Sequence, residues 1–212
     1  MAICLMFVLR LYPQVIQDNG DVQFSRAGFF ITGEPKAALD AFEESLKDKK
    51  GTLDLQDYIN YATLLYLNKE FVKSLETVKK GLSLAPNHVT LARLAMYDRY
   101  ELGDYEAGLE DAKFFYSLAD SSDYVYWDYV YYGRLLNKHS LYDDALRQYD
   151  KALALDSSNV DIYREISRVY EEQEDYSQAI EFYRKYMDVR HPSVGMGELF
   201  VYGRLNYFAA AD

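Results

Sequence analysis

The chain has 212 residues, half of them hydrophobic and 27% charged, the balance of a globular protein with enough apolar material for a continuous core. Four prolines and 11 glycines are too few for an all-β architecture built on many tight turns. A net charge of −11 and a pI near 4.8 argue against nucleic acid and anionic membrane surfaces as partners, because both recruit Lys and Arg.

Residues 1–18 open the chain as an apolar N-terminal segment, with Met1–Tyr12 interrupted only by Arg10. A membrane helix needs about 18 consecutive apolar residues, which no stretch supplies. A secretory signal would carry a basic segment ahead of its apolar run and a small-residue cleavage site behind it. Here the run starts at the first residue and ends at Tyr12-Pro13-Gln14. The segment is read as a partial helix or strand, or the remnant of a longer chain, with a signal peptide as the alternative. Cys4 is the single cysteine, which excludes an internal disulfide and suits a reducing compartment. The cytoplasm is therefore the favoured location, with the periplasm or secretion left open.

From residue 19 the chain repeats a phrase. Gly33-Glu34-Pro35-Lys36-Ala37-Ala38-Leu39 returns 36 residues later as Lys69-Glu70-Phe71-Val72-Lys73-Ser74-Leu75. Gly103-Asp104-Tyr105-Glu106-Ala107-Gly108-Leu109 follows after 34, and Ser140-Leu141-Tyr142-Asp143-Asp144-Ala145-Leu146 after 37. Glu174-Asp175-Tyr176-Ser177-Gln178-Ala179-Ile180 closes the series after a further 34. The period sets repeats at about 19–52, 55–88, 89–122, 126–159 and 160–193, with a half-repeat at 196–212. The extra residues before Tyr126 fall between repeats, where insertions cost least.

Within a repeat the apolar spacing is helical. Ala145, Leu146, Tyr149, Ala152 and Leu153 make one stripe at spacings of three and four, as do Tyr163, Ile166, Ser167 and Tyr170 on the first helix of the next repeat. The Gly-Asp-Tyr type of phrase stops one helix and starts the other. Ala85-Pro86-Asn87 and Asp156-Ser157-Ser158-Asn159 supply the polar turns between repeats.

The 34-residue period, the small residue at Ala145 and Ala179, the aromatic three positions before it and Pro86 at a repeat end resemble the tetratricopeptide repeat. The resemblance covers residues 19–206 and is strongest at 55–88, 126–159 and 160–193. The repeat at 89–122 departs from it, with Gly108 in place of alanine and Asp120 in place of proline. The resemblance implies an all-α fold, a right-handed α-solenoid of about five helical hairpins plus a terminal helix. It implies a concave groove lined by the first helices, which holds a peptide or protein segment, and it implies no enzyme.

Helix geometry names the side chains that such a groove would present. With Tyr163, Ile166 and Tyr170 in the core, Arg164, Arg168 and Glu171 form the adjoining stripe. The equivalent positions add Arg93, Tyr97 and Tyr100, then Trp127, Val130, Arg134 and Asn137, then Arg204 and Tyr207. Five arginines and several aromatics on one face of so acidic a chain point to an acidic or carboxylate-bearing ligand, since Arg forks bind carboxylates in two-point fashion and Trp and Tyr dominate binding surfaces. The competing reading makes Arg164 a partner of Asp161 and Arg168 a partner of Glu171 or Glu172, with Tyr97, Trp127 and Tyr131 packed between repeats. Ile59, Thr63, Leu94, Trp127 and Tyr131 fill the places where chaperone-binding members of the family hold Lys and Asn, so chaperone tails are not expected.

Catalytic chemistry has no foothold. His88, His139 and His191 fall at repeat boundaries or turns without an orienting carboxylate. Neither a zinc spacing nor a phosphate-binding glycine loop occurs, so no metal or cofactor is expected. The last helix, at 198–210, offers little polarity for a solenoid end. A fragment of a longer array, or a homo-oligomer through the apolar ends Met1–Leu11 and 198–210, would each account for it.

Overall fold

The structure is a computed structural model that describes residues 35–48 and 53–211. The apolar segment at 1–18, Cys4 and the first helix of the first repeat lie outside the described residues. Among the described residues there are ten α-helices, one 3-10 turn and no strand, so the chain is all-α. They group into two compact bodies, the first ending at Ala119 and the second beginning at Asp120.

The first body holds α1 (Pro35–Asp48), α2 (Leu55–Leu67), α3 (Phe71–Leu84), α4 (Val89–Glu101) and α5 (Tyr105–Leu118). Helices α2/α3 and α4/α5 are antiparallel hairpins. Ala38, Leu39 and Phe42 of α1 pack on Leu64 and Leu65 of α2. Ile59 and Ala62 of α2, Leu75 and Val78 of α3, and Leu91, Leu94 and Ala95 of α4 form the next layer. Helices α2 and α3 thus close against each other and against α4 of the following hairpin, which is how a repeat too small to bury its own apolar faces becomes stable.

The second body begins with the 3-10 turn Ser121–Asp123, at the junction where the extra residues fall, and the Asp120 N–H donates to Asp123 Oδ2 at 3.2 Å. It continues with α6 (Tyr126–Lys138), α7 (Tyr142–Leu155), α8 (Asp161–Glu172), α9 (Tyr176–Arg190) and α10 (Met196–Ala209). Helices α6/α7 and α8/α9 are its hairpins. Ala179, Tyr183 and Tyr186 of α9 and Leu205 of α10 centre its C-terminal core, flanked by Tyr163 and Tyr170 of α8.

One turn recurs in all four hairpins. Lys69 (φ 62°), Gly103 (φ 76°), Ser140 (φ 57°) and Glu174 (φ 61°) occupy the left-handed region at the same point of the repeated phrase. The next N–H donates back to the carbonyl five residues earlier, as in Glu70 to Leu65, Asp104 to Arg99, Leu141 to Leu136 and Asp175 to Tyr170, at 2.9–3.0 Å. This double-bonded helix end satisfies carbonyls that the helix leaves without partners.

The small residue of the phrase lets the two helices of a hairpin approach. Ser74, Ala145 and Ala179 are fully buried there, and Ser74 Oγ donates to the Ala62 carbonyl at 3.0 Å. Ser167 Oγ donates to the Ala179 carbonyl at 2.7 Å. At the position of Ala62 and Ser167, α6 carries Gly133, where a Cβ would lie 2.5 Å from the Tyr149 ring.

Candidate peptide-binding surface

The face of α8 that turns inward is rotated by one residue from the sequence expectation. Ile162, Glu165, Ile166, Ser167 and Val169 are buried, while Tyr163 and Tyr170 sit half-buried against Phe182 of α9, with the Tyr170 ring stacked at 5.5 Å. The rotation still leaves Arg164 and Arg168 on the side facing α10. There they meet Arg204, and a cavity of about 300 Å³ opens between α8, α9 and α10. Its wall carries these three arginines with Glu171 and Glu198, and Tyr183, Ser167, Gly197 and Val201 complete the lining.

The three guanidinium groups are held differently. Arg204 Nη2 donates to Glu171 Oε1 at 2.6 Å, a bond from α10 to α8. Arg168 Nη1 lies 3.3 Å from Glu165 Oε2. Arg164 is the least engaged: its Nη2 is 3.9 Å from Asp161 Oδ1, its guanidinium stands 5.4 Å from the Tyr186 ring centre, and its buried Nε has no hydrogen-bond partner. Arg168 pairs with neither Glu171 nor Glu172.

Glu165 organises this cluster, and the sequence stripe did not include it. It is 4% exposed. Burial pushes its carboxyl up, but Arg134, whose Nη2 donates to Oε1 at 2.6 Å, outweighs that cost together with Arg168 and Arg164 and holds it below the usual carboxylate range. Arg134 is thereby drawn inward, and its guanidinium also lies 5.4 Å from the Tyr131 ring. Expected on the ligand face, it serves instead as the counter-ion of a buried acid. Glu198 is fixed by its own helix end, accepting from the Gly195 N–H at 3.0 Å, and this bond and its own backbone N–H lower its carboxyl.

The other candidate residues do not converge on this cavity. In the first body, Tyr97 of α4 is 6% exposed and lies against Tyr66 at 5.7 Å. It is core rather than groove, because Tyr66 covers it from the preceding hairpin. Arg93 stands over the Phe115 ring at 5.1 Å, and Tyr100 leans on Tyr105 at 5.5 Å. Trp127 of α6 is 40% exposed, edge-on to the buried Tyr126 at 5.2 Å and 6.4 Å from Tyr131. Tyr207 is exposed on α10, outside the cavity lining. Among the described residues no group of three or more His, Cys, Asp and Glu side chains could hold a metal ion, and no helix is long and apolar enough to cross a membrane.

Residues 133–192 match the family model of the tetratricopeptide repeat. The sequence matches no curated protein. Among solved structures, the C-terminal part of a tetratricopeptide repeat-containing protein from Cytophaga hutchinsonii shares 21% identity over 72% of this chain, with a TM-score of 0.61. This chain spans 58% of that structure. MamA from Desulfovibrio magneticus RS-1, residues 41 to the end, shares 16% identity over 77% of this chain and 89% of its own, with a TM-score of 0.62. A crystal structure of MamA shares 14% over 75% and 90%, with a TM-score of 0.58. At these identities the likeness is one of fold.

Proposed function

We propose that this chain, a tetratricopeptide-repeat protein, is a protein-interaction scaffold whose second body holds a carboxylate-bearing segment of its partner at Arg164, Arg168 and Arg204. Repeats of this family generally mediate protein–protein contact, and the proposal places that contact on α8 and α10.

The observation that carries it is the meeting of three arginines at one concavity, in a chain of net charge −11. Arg164 has the most donor capacity to offer, with one distant acid partner and an unpartnered Nε. A ligand carboxylate reaching it would gain a charge-assisted bond without first breaking a short ion pair. Arg204 would have to share its guanidinium with Glu171, and Arg168 with Glu165. Long-range repulsion by the acidic chain slows such a ligand, but within a Debye length of about 8 Å the local guanidinium groups govern. The role is binding and not turnover.

A labelled peptide of alternating glutamate and leucine, titrated by fluorescence polarisation, tests this. Arg164→Gln with Arg168→Gln removes two donors; glutamine is preferred to glutamate at 168 because a carboxylate there would repel Glu165. At about 1.5 kcal/mol per charged hydrogen bond, binding weakens about 100-fold while the helical signal is unchanged. Equal binding by wild type and variant refutes the site.

A further inference from the structure

Helix α10 packs by one side only. Leu205 is fully buried against α9, and Val201 and Tyr202 join the same cluster. The opposite side carries Met196, Phe200, Gly203 and Tyr207 at spacings of four, three and four, a single straight stripe on a helix. Met196 is 82% exposed, Phe200 73% and Tyr207 71%.

Gly203 marks the centre of that stripe. In the repeat register it matches Gly133 of α6. There the second helix of the hairpin comes so close that a Cβ would sit 2.5 Å from Tyr149. At Gly203 a Cβ would meet nothing within 4 Å. The surface that receives a helix in α6 is thus bare in α10.

We propose that this stripe is the contact between two copies of the chain, α10 against α10 about a twofold axis that passes by Gly203. Charge does not oppose this partner. Two copies at −11 each repel wherever acids face each other, yet this stripe carries no charge. The only ionic residues of α10 are Glu198, engaged with Gly195, and Arg204, engaged with Glu171. Shape agrees. A glycine notch with an aromatic ring one turn to either side is self-complementary under a twofold axis, the condition a symmetric dimer must meet. The exposed parts of Met196, Leu199, Phe200 and Tyr207 amount to about 500 Å² per copy, hence about 1,000 Å² buried in all, the low end of specific interfaces. An interface of this size is in the class of weak, transient contacts. None of this rests on the arginine cavity.

Sedimentation velocity on the full chain from about 1 to 200 μM tests it, with circular dichroism to confirm folding. The wild type shifts from 24.7 kDa toward twice that mass, while Phe200→Glu stays monomeric throughout. Gly203→Leu, which favours the helix but fills the notch, also stays monomeric. In a Cys4→Ser background, Gly203→Cys forms an intermolecular disulfide under mild oxidation at least tenfold faster than the exposed control Ser177→Cys. A wild type that is monomeric at every concentration overturns the proposal. So does a dimer that survives both substitutions, or a Gly203→Cys variant that cross-links no faster than the control.

Discussion

Asp98 is the residue whose replacement should change this protein most. It lies on α4 with no exposure, and neither carboxylate oxygen has a hydrogen-bond partner. Ser74 beside it gives its proton to the Ala62 carbonyl. Burial raises the carboxyl's pKa to about 8, the Ser74 hydroxyl opposes this only in part, and the charge of Glu101 adds to it. The folded chain therefore keeps Asp98 protonated at pH 7, whereas the unfolded chain releases the proton about three pH units below. At about 1.36 kcal/mol per unit, that difference costs on the order of 4 kcal/mol at pH 7. The sign follows from the raised folded value: the cost is absent below pH 3.8, grows as pH rises, and levels off above about 8. Asp98→Leu restores the side chain found in register at Leu64 and Leu135, both fully buried, and should stabilise the protein by several kcal/mol at pH 7. Asp98→Asn should remove the pH dependence alone. Urea denaturation of the three proteins from pH 4 to pH 9 measures this. An advantage of Asp98→Leu that stays constant across that range would refute the reasoning.

Three further outcomes follow from the geometry. Ser140→Gly and Glu174→Gly should each stabilise by about 0.5–1 kcal/mol in urea denaturation, because both residues hold a left-handed conformation that glycine adopts without steric cost. Gly133→Ala should destabilise by about 1–3 kcal/mol in the same assay, since the buried Tyr149 ring must move to admit the methyl group. Arg134→Met should cost about 2–4 kcal/mol at pH 7 by stranding Glu165. Because Arg134 helps hold that carboxyl below 4.5, its contribution is present above this pH and is lost as pH falls through the folded value. Denaturation at pH 3 should therefore show a smaller difference between Arg134→Met and the wild type.

The hairpins were legible because their signal is repeated. The small residue and the aromatic of the phrase recur in register, and α3, α5, α7 and α9 start at Phe71, Tyr105, Tyr142 and Tyr176. The left-handed turn was legible only at Gly103. Lys69, Ser140 and Glu174 adopt it because the closing of the hairpin outweighs their local preference. Of the arginine cluster, Arg164, Arg168 and Arg204 could be placed from helical spacing, whereas the inward turn of Arg134 could not. Its cause is Glu165, an acid in a column otherwise occupied by Asn60, Leu94 and Tyr131, all buried. Aligning the repeats column by column exposes that signal, and the same alignment sets Asp98 among leucines. A single helical stripe hides both, because an acid reads as surface. Tyr97 shows the opposite error: its register is that of Arg134 and Arg168, but its ring is covered by Tyr66.

The arginine side-chain Nε–Hε resonances of the ¹⁵N-labelled protein, followed while the glutamate–leucine peptide is added, test the binding surface most directly. The account predicts saturable shifts at Arg164, Arg168 and Arg204, largest at Arg164, with Arg134 unmoved because Glu165 already holds it. Shifts confined to other arginines, or none at peptide concentrations up to about 1 mM, would contradict it.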